Sequence, residues 1–552
     1  MKALLASFVF VTTGILVFAQ PLMNNEAIEL QRILNQYQTE CLELFKKANA
    51  AEWEAMTTGK EEAFKRCTAA KLEYAKYHSN REQYAKIKTL FQRATSLSAV
   101  DKRAAEKMLV AYEQNQLPPE LLQKMQEMSS EIEMIFQNFR GKLDGKEYSN
   151  NDLLEAIEAE TDSAKRQQIW EALKQVGEQS AAKIVALAKV RNQAAKQLGF
   201  KNYWEMQVHF QEYKPQELLA IFEELDKLTK PLFVQMKNEL DAELAEKFGI
   251  APEKLMPWHY DNPFFQQAPP SKEINTNIFF EDKTEEDIIA IAVKYFKHLG
   301  LDFETILKNS DMFYREGKNQ HAFSIDMDTL GDVRNLCNVR PTSDWMETVL
   351  HEAGHGVYSL GHNRNLPFNL RDPAHIFTTE GVAMLLGAKA REPKWLSRFA
   401  DVDEKETEKY AAALKKQRIR EQLIFCRWTL VMLNFEKMLY ENPDAGLVKL
   451  WQETVEKYQL LNYPKEREQG DWASKPHFVI APVYYHNYML GELFAAQLRR
   501  SLGTVFQNDE PKAAVILNEK VFAPGALYPW REFVKQTTGE PLSPKAFAEE
   551  LR

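Results

Sequence analysis

The sequence predicts a mainly α-helical protein. From Asn24 to Phe248 apolar residues recur every three or four positions, with Glu, Lys, Gln and Ala between them, and this spacing is typical of helices that bury one face. Glycine and proline number only 21 and 23 among 552 residues, so few positions would break these helices. Helical patterns return at Ser343 and continue, with loops, to Leu551. Because no linker-like tract interrupts the chain, we expect one large domain over residues 20–552.

Three breaks divide the helical pattern of the first half, at Leu117–Pro119, at Gly141–Tyr148 and at Gly199-Phe200. The first helices are rich in charged residues, which suits an exposed lid or rim over about residues 20–115; packing against the core is the alternative. The clearest predicted helices are Ala27–Ala51, Arg81–Leu97, Ala104–Asn115, Glu120–Phe139, Asp152–Ala159, Ala164–Leu198 and Pro215–Phe248.

The middle of the chain is the least helical part. Residues 256–277 form an irregular, aromatic stretch that we interpret as a loop, and a helix follows at Glu285–Leu299. The pattern of Asp311–Ile325 predicts a strand, a turn and a second strand, and Val333–Val339 predicts another short strand. We therefore expect a small β-sheet just before the helix at Ser343. An edge strand in such a sheet can pair with an extended peptide backbone.

Composition and charge exclude some classes of partner. The chain is 45% hydrophobic and 27% charged, as expected for a globular protein with a large core. Its formal net charge is −9, and no basic surface of the kind that binds nucleic acid is evident. We expect no nucleic-acid partner.

Residues 1–19 differ from the rest of the chain. Lys2 precedes a largely apolar run, Ala3–Ala19, which ends in a small-residue cleavage site before Gln20. This pattern predicts a secretory signal peptide, and therefore export to the periplasm or the extracellular space. An uncleaved anchor is the alternative, because the run approaches spanning length. No later stretch is apolar and long enough to span a membrane, so we expect no stable span after cleavage.

The four cysteines are Cys41, Cys67, Cys337 and Cys426, and an oxidising compartment would permit a disulfide. Cys41 and Cys67 lie on consecutive helical stretches separated by Thr57–Gly59. An antiparallel helical hairpin could bring them together; two free buried thiols are the alternative.

A His-Glu-Ala-Gly-His motif occupies residues 351–355, on a predicted helix for which Ser343 is a candidate N-cap. Residues four apart share one helical face, so His351 and His355 can bind one metal ion, and two neutral imidazoles suit zinc. Glu352 lies beside them, where it could take a proton from a water molecule at the ion. The alternative is an ordinary buried helix with two satisfied histidines.

A third ligand is available downstream. Glu380 opens an apolar helix, and its carboxylate would complete a His/His/Glu site for one zinc ion with a fourth position left open. His362 and His375 are rival ligands in polar loop sequence. Glu347 shares the face of His351, and we interpret it as a supporting or packing residue.

The order of these motifs resembles the angiotensin-converting-enzyme family of zinc peptidases. The motif at residues 351–355 is followed by Leu-Pro-Phe-Asn-Leu-Arg at 366–371 and then by Glu380. The resemblance implies that His351, His355 and Glu380 bind the metal and that Glu352 is the general base.

The resemblance is firmest at Gln320–Trp395 and at Lys475–Ala495. Other features, such as Leu198–Tyr203, also resemble the thimet-type oligopeptidases. Both likenesses imply a large two-lobed helical domain whose deep central cleft admits only short peptides, with the small sheet beside the metal-binding helix.

The resemblance also assigns roles in substrate binding. His477 and Tyr488 would donate hydrogen bonds to the scissile carbonyl, and Lys475 with Tyr485 would bind a C-terminal carboxylate, although the register of Tyr484 against Tyr485 is open by one residue. The alternative for these residues is an aromatic helix packed in the core. The family's edge strand, which holds the substrate backbone, would here contain the residues His321, Ala322 and Ser324.

Four positions depart from the family pattern. Met384 replaces an aspartate that orients a zinc histidine, so another group must substitute or zinc binds less tightly. Asn487 replaces a chloride-binding arginine, which predicts activity independent of chloride through that site. Glu286 aligns with a glutamine that helps to hold the substrate carboxylate, which puts strict dipeptide release in doubt. Gln320 replaces a disulfide cysteine, so we expect Cys337 to be free.

We therefore expect zinc-dependent hydrolysis of short peptides, with release of dipeptides from the C-terminus. An endo-acting oligopeptidase is the alternative among enzymes. Outside enzymes, the alternative is an inactive peptide-binding protein, against which the intact Glu352 argues.

Overall fold

The computed structural model of the protein describes residues 23–552. The predicted signal peptide, residues 1–19, lies outside the described residues and stays a prediction. The described chain is mainly helical, and its strands form two antiparallel two-stranded sheets, which confirms the predicted fold class. None of the helices in residues 23–552 combines the length and the apolar character needed to cross a bilayer.

The predicted helices of the first half all form. Several begin where the sequence offers a cap: the side chains of Asn24, Ser149 and Asp162 each accept a backbone N–H of the first turn, which satisfies a donor that the helix itself leaves free. Two further helices lie between the predicted ones. The helices are α1 (Asn25–Thr58), α2 (Glu61–His78), α3 (Arg81–Arg93), α4 (Ala99–Gln114), α5 (Pro119–Asn138), α6 (Asn150–Ala159), α7 (Ser163–Gln197), α8 (Tyr203–Phe210) and α9 (Pro215–Phe248).

The break at Gly141–Tyr148 is a β-hairpin rather than a plain loop. Strands β1 (Gly141–Leu143) and β2 (Lys146–Tyr148) pair across Asp144 and Gly145, which both have positive φ, 50° and 74°. Two such residues form the tight turn that matches the twist of a hairpin, and Asp-Gly is a frequent sequence for it.

The second half contains the other sheet and thirteen of the helices of the described chain. Its elements are α10 (Glu285–Leu299), α11 (Phe303–Leu307), β3 (Phe323–Asp326), β4 (Val333–Leu336), α12 (Ser343–Leu360), α13 (Ile376–Gly387), α14 (Pro393–Phe399), α15 (Glu404–Glu441), α16 (Leu447–Gln459), α17 (His477–Ile480), α18 (His486–Leu502), α19 (Thr504–Gln507), α20 (Pro511–Leu517), α21 (Trp530–Thr538) and α22 (Lys545–Glu550).

The predicted sheet forms, but the strand expected to begin at Asp311 does not. Strands β3 and β4 are antiparallel, with Ser324 opposite Asn335, whereas Asp311 makes only an isolated bridge to Leu336. The chain instead curls around the buried ammonium of Lys318, which donates to the carboxylate and the carbonyl of Asp311 at 2.8 and 2.9 Å and to the carbonyl of Cys337 at 2.5 Å. A buried charge needs such partners, and they hold this segment in a turn.

The Cys41–Cys67 disulfide does not form, because the register of the α1–α2 hairpin separates the two thiols. Cys41 lies opposite His78, with 3.5 Å between Sγ and Nε2, whereas Cys67 lies in a small cluster with Ala55 and Ala63. His78 and Cys67 are eleven residues apart on α2, which is about 16 Å along a helix. All four cysteines are free and buried, as expected for Cys337.

Helices α1 to α4 share an apolar core separate from the main one, completed by Leu366, Phe368, Leu370 and Ala526. The C-terminal half of α1 contacts the sheet: the Asn49 amide donates to the Asp326 carbonyl at 2.8 Å, and the Trp53 ring packs edge-on against Phe323. The proposed role of these helices as a lid stays a prediction.

Helices α12, α13 and α18 pack at very short range at the centre of the molecule. A Cβ added to Gly354 would lie 2.9 Å from the Ala383 Cα, and one added to Gly491 would lie 3.0 Å from the Glu380 Cβ. Glycine at these two positions therefore lets α13 approach both neighbours. This close packing fixes α13, and with it Glu380, against the motif on α12.

Candidate active site

Helix α12 presents both motif histidines on one face. Its N-cap is Thr342, whose hydroxyl accepts the Trp345 N–H at 3.2 Å; Ser343, the predicted cap, is the first helical residue. The opposite face is buried in the core, which leaves His351 and His355 facing α13. The buried apolar residues on this opposite face are Met346, Val349, Leu350, Ala353 and Val357.

The three predicted ligands converge. The Nε2 atoms of His351 and His355 lie 3.2 Å apart, and Glu380 Oε2 lies 3.8 and 3.9 Å from them. Two atoms bound to one tetrahedral zinc at 2.0–2.1 Å lie about 3.3 Å apart, so the imidazoles already have this separation and the carboxylate is within a few tenths of an ångström of it. Two imidazoles and one carboxylate are donors that suit zinc.

The rival ligands do not join this group. His375 caps α13, and its Nε2 lies 2.7 Å from the Gln211 carbonyl. His362 is buried in the loop after α12, outside the cluster of ligand atoms. Glu347 is bound by the Arg391 guanidinium at 2.6 Å, which agrees with the packing role expected for it.

The electrostatics of the site favour a cation. Burial and the charge of Glu380 raise the pKa of Glu352 to about 8, and burial raises the pKa of Glu380 to about 7. Burial also lowers the pKa of His351 to about 4, so the imidazole is neutral and can donate its lone pair. A divalent ion at this position favours the charged carboxylates and relieves the cost of burying them.

Hydroxyl groups support two of the ligands. The Thr379 hydroxyl lies 2.6 Å from His355 Nδ1, and the Tyr484 hydroxyl donates to Glu380 Oε1 at 3.3 Å. When His355 Nε2 binds a metal, Nδ1 carries the proton and donates a hydrogen bond to the Thr379 hydroxyl. Thr379 would thus orient His355 in a chain that has Met384 where the resemblance implies an aspartate. Thr379 was not predicted from the sequence, and Tyr484 was considered there only as the alternative to Tyr485.

We expect Thr379→Val to weaken zinc binding about 10- to 100-fold, as is usual when a partner of a metal ligand is removed. Affinity would be measured by competition with a fluorescent chelator. The matched control is Thr378→Val, because the Thr378 hydroxyl donates to the His375 carbonyl and contacts no ligand. Equal affinity in the Thr379→Val protein and the wild type would rule out this role.

The predicted oxyanion donors lie together near the ligands. The His477 ring lies 5.0 Å from the Tyr485 ring, which lies 5.4 Å from the Tyr488 ring. The Tyr488 ring is 5.2 Å from Tyr484, which contacts Glu380. His477 Nδ1 is buried and has no hydrogen-bond partner within the described residues. The aromatic cluster is therefore packed, as the alternative required, and it reaches the predicted ligands through Tyr484, whose hydroxyl contacts Glu380.

Lys475 is buried beside an amide instead of an acid. Its Nζ donates to Gln266 Oε1 at 2.6 Å and lies 5.5 Å from the Tyr485 ring centre, whereas the Tyr484 hydroxyl donates to Glu380. Burial lowers the Lys475 pKa to about 7. The amide beside Lys475 is Gln266, whereas Glu286 is an exposed residue in the first turn of α10. In the described structure the ammonium of Lys475 therefore pairs with an amide and not with the Glu286 carboxylate.

The predicted edge strand is shorter than the segment that suggested it. Strand β3 begins at Phe323, so His321 and Ala322 precede it, and only Ser324 lies within it. His321 is exposed. Burial, followed by the charge of Lys475, lowers the pKa of His477 to about 3. Because the sheet has two strands, one edge of β3 has no strand partner in the described chain.

A neutral hydrogen-bond network occupies the surroundings of Asn487. The Tyr213 hydroxyl donates to Asn487 Oδ1 at 2.8 Å, and Asn487 Nδ2 donates to Gln211 Oε1 at 2.8 Å. The amide of Asn487 carries no charge, and its oxygen and nitrogen both already have partners. Nothing in this network attracts a chloride ion.

We therefore expect hydrolysis to be insensitive to chloride at this position. The value of kcat/KM would be equal in chloride-free buffer and at physiological chloride, with acetate as the replacement anion at constant ionic strength. A strong activation by chloride that disappears in an Asn487→Ala variant would contradict this expectation.

A cavity of about 520 Å³ lies beside His351. Its wall includes His351 and Met384 on one side and Gln266 on the other, so it extends from the ligand face to the residue that contacts Lys475. Its lining comes from residues 158–270 and from residues 344–492. The cavity reaches one of the three predicted ligands, and the deep cleft between two lobes stays a prediction.

Comparison with known proteins agrees with this geometry. A family model described as angiotensin-converting enzyme matches residues 24–541, nearly the whole chain. No curated protein sequence matches the chain.

Proposed function

Because this chain belongs to the angiotensin-converting enzyme family of metallopeptidases, we propose that it hydrolyses short peptides with zinc and releases dipeptides from their C-termini. The observation that carries the proposal is the convergence of His351, His355 and Glu380 beside an intact Glu352. The buried Lys475, whose described polar contact is an uncharged amide, supports the dipeptide part.

His351, His355 and Glu380 would hold the zinc ion, which when bound would supply Lewis-acid polarisation of the carbonyl and a pKa of water lowered toward about 7. Glu352 accepts the proton of the attacking water molecule and delivers it to the leaving amine. The His477 imidazole and the Tyr488 hydroxyl donate hydrogen bonds to the carbonyl oxygen as it gains negative charge. Such preorganised donors stabilise the transition state more than the substrate.

The preference for a free C-terminus depends on charge. Lys475 has lost most of its hydration, and its described neighbours are Gln266 and the rings of Phe264, Trp428 and Tyr485. A substrate carboxylate would supply the missing counter-charge and raise the pKa of Lys475 again. Gln266 and Tyr485 add polar groups beside the same position.

The test compares one peptide with a free and an amidated C-terminus. We expect amidation to lower kcat/KM strongly in the wild type and to have little effect in a Lys475→Met variant, because that variant has already lost the ammonium. Mass spectrometry of the products should show dipeptides. Unchanged turnover of the amidated peptide, with internal cleavage, would favour the endo-acting alternative.

We also propose that the protein is exported. The apolar run at residues 1–19 supports this. Expression of the full chain should yield a secreted or periplasmic protein whose first residue is Gln20. A cell-associated protein that keeps Met1 would contradict cleavage.

A further inference from the structure

Val483 has a backbone conformation that its side chain disfavours. Its φ is +55°, in the left-handed region where a β-branched residue is an outlier. Such conformations persist only when the surroundings hold them, and they cluster at functional sites. Val483 lies between His477 and Tyr484, in the segment that joins α17 to α18.

Two side chains from distant parts of the sequence hold both backbone groups of this residue. The Val483 N–H donates to Glu436 Oε1 at 2.8 Å, and the Val483 carbonyl accepts from Gln211 Nε2 at 2.8 Å. Glu436 lies on α15 and is 4% exposed. Burying a carboxyl group costs free energy unless it forms hydrogen bonds. In the described chain the hydrogen bond of the Glu436 carboxyl goes to the Val483 N–H.

Hydrogen bonds also anchor the chain on both sides of Val483. The Arg191 guanidinium donates to the carbonyls of Phe478 and Val479 at 2.6 and 2.9 Å, and Gln211 Oε1 accepts from the Asn487 amide at 2.8 Å. The segment before the turn and the start of α18 are therefore both anchored. Val483 lies between these two anchored parts, so a change in its φ would turn Tyr484, Tyr485 and Tyr488 relative to His477.

We infer that Glu436 and Gln211 are positioning residues that hold Val483 in the left-handed conformation and so aim Tyr488 at the carbonyl that His477 also contacts. We refer to Glu436, Gln211 and Val483 as the Val483 clamp. The inference rests on the proposed function, because it assigns the clamp to the donors of that reaction. Without the Glu436 carboxyl, Val483 relaxes to a negative φ, and α18 begins in a different direction.

The kinetic test combines removal and rescue. Glu436→Gln keeps a carbonyl acceptor and should retain kcat, whereas Glu436→Met should lower kcat about 10²-fold, the effect of a misplaced group of about 1 Å, with KM nearly unchanged. Adding Val483→Gly to Glu436→Met should restore most of kcat, because glycine adopts positive φ without a clamp. If Glu436→Met lowered kcat only by loosening the core, the further loss of the Val483 side chain would not restore kcat.

Gln497→Met serves as the matched control. Gln497 is also buried, on α18, and donates to the Pro541 carbonyl, away from the turn. The Gln497→Met variant should have a lower melting temperature than the wild type and the same kcat. If Glu436→Met behaves like this control, or if Val483→Gly fails to rescue it, the clamp has no role in positioning.

A crystal structure of the Glu436→Met protein separates this inference from the proposed function. A negative φ at residue 483 and a rotated Tyr488 support the clamp whatever substrate the wild type cleaves. An unchanged left-handed Val483 overturns it. Failure of the proposed function would appear independently, as a wild-type protein with zinc bound and no peptide hydrolysis.

Discussion

Replacing Glu352 by glutamine is expected to lower kcat/KM by about 10³-fold or more, within the range for loss of a general base and acid. Glutamine has the same shape but cannot take the proton of the attacking water or pass it to the leaving amine. Glu352 is 7% exposed and follows His351 directly on α12. Burial, and to a smaller extent the charge of Glu380, raises its pKa to about 8. Hydrolysis of a fluorogenic peptide measures the effect.

Two measurements make this result specific. The zinc content of Glu352→Gln should equal that of the wild type, because Glu352 is not a ligand. The matched control is Glu347→Gln on the same helix, whose side chain pairs with Arg391 and should change kcat/KM less than threefold, about 0.6 kcal/mol. A Glu352→Gln enzyme with full activity would remove the general base from the account.

The second large effect is expected at the oxyanion donors. Tyr488→Phe removes one hydroxyl and His477→Phe removes the ring nitrogens, and each should lower kcat about 10²- to 10³-fold with a small change in KM. The combined variant should lose less than the product of the two, because both donors act on one oxygen. Steady-state kinetics on a single peptide measures all three.

Tyr485→Phe is the comparison for Tyr488→Phe. The Tyr485 ring lies beside Lys475 as well as beside Tyr488, so loss of its hydroxyl should raise KM for free C-termini and leave kcat almost unchanged. If Tyr488→Phe and Tyr485→Phe had the same kinetic profile, the separate roles given to the two tyrosines would be wrong.

The metal-binding helix was predictable because its signals are local. The spacing of His351 and His355 defines one helical face, and the apolar stripe on the other face requires burial. Glu380 was also predicted from the sequence, as the one acidic residue of the next apolar stretch, but it does not open that helix: α13 begins at Ile376, and Glu380 is its fifth residue. The sequence already favoured Glu380 over His375, which lies in polar loop sequence, and the structure shows that His375 caps α13.

The residues that the sequence did not reveal depend on long-range pairing. Gln266 lies 209 residues before Lys475, inside a stretch that reads as a plain loop, and a glutamine carries no motif. The Thr379 hydroxyl is recognisable as a support for His355 only when α12 and α13 are placed side by side. The cysteine pairing failed for the same reason, because composition does not define the register of a helical hairpin.

Local turn chemistry accounts for the differences at the strands. Asp144-Gly145 was a hairpin signal inside a break, whereas Asp311 lies in a turn because the ammonium of Lys318 gathers nearby carbonyls around itself. The sequence pattern that predicted a strand at Asp311 gives no indication that the charge of Lys318 is buried.

The most direct test is the metal content of the purified protein and of three ligand variants. After dialysis against trace zinc, the wild type should hold one zinc ion per chain, and His351→Ala, His355→Ala and Glu380→Ala should each hold little zinc and hydrolyse no peptide, with unchanged helical circular dichroism. A wild type without zinc, or a Glu380→Ala protein that keeps both its zinc and its activity, would contradict the account.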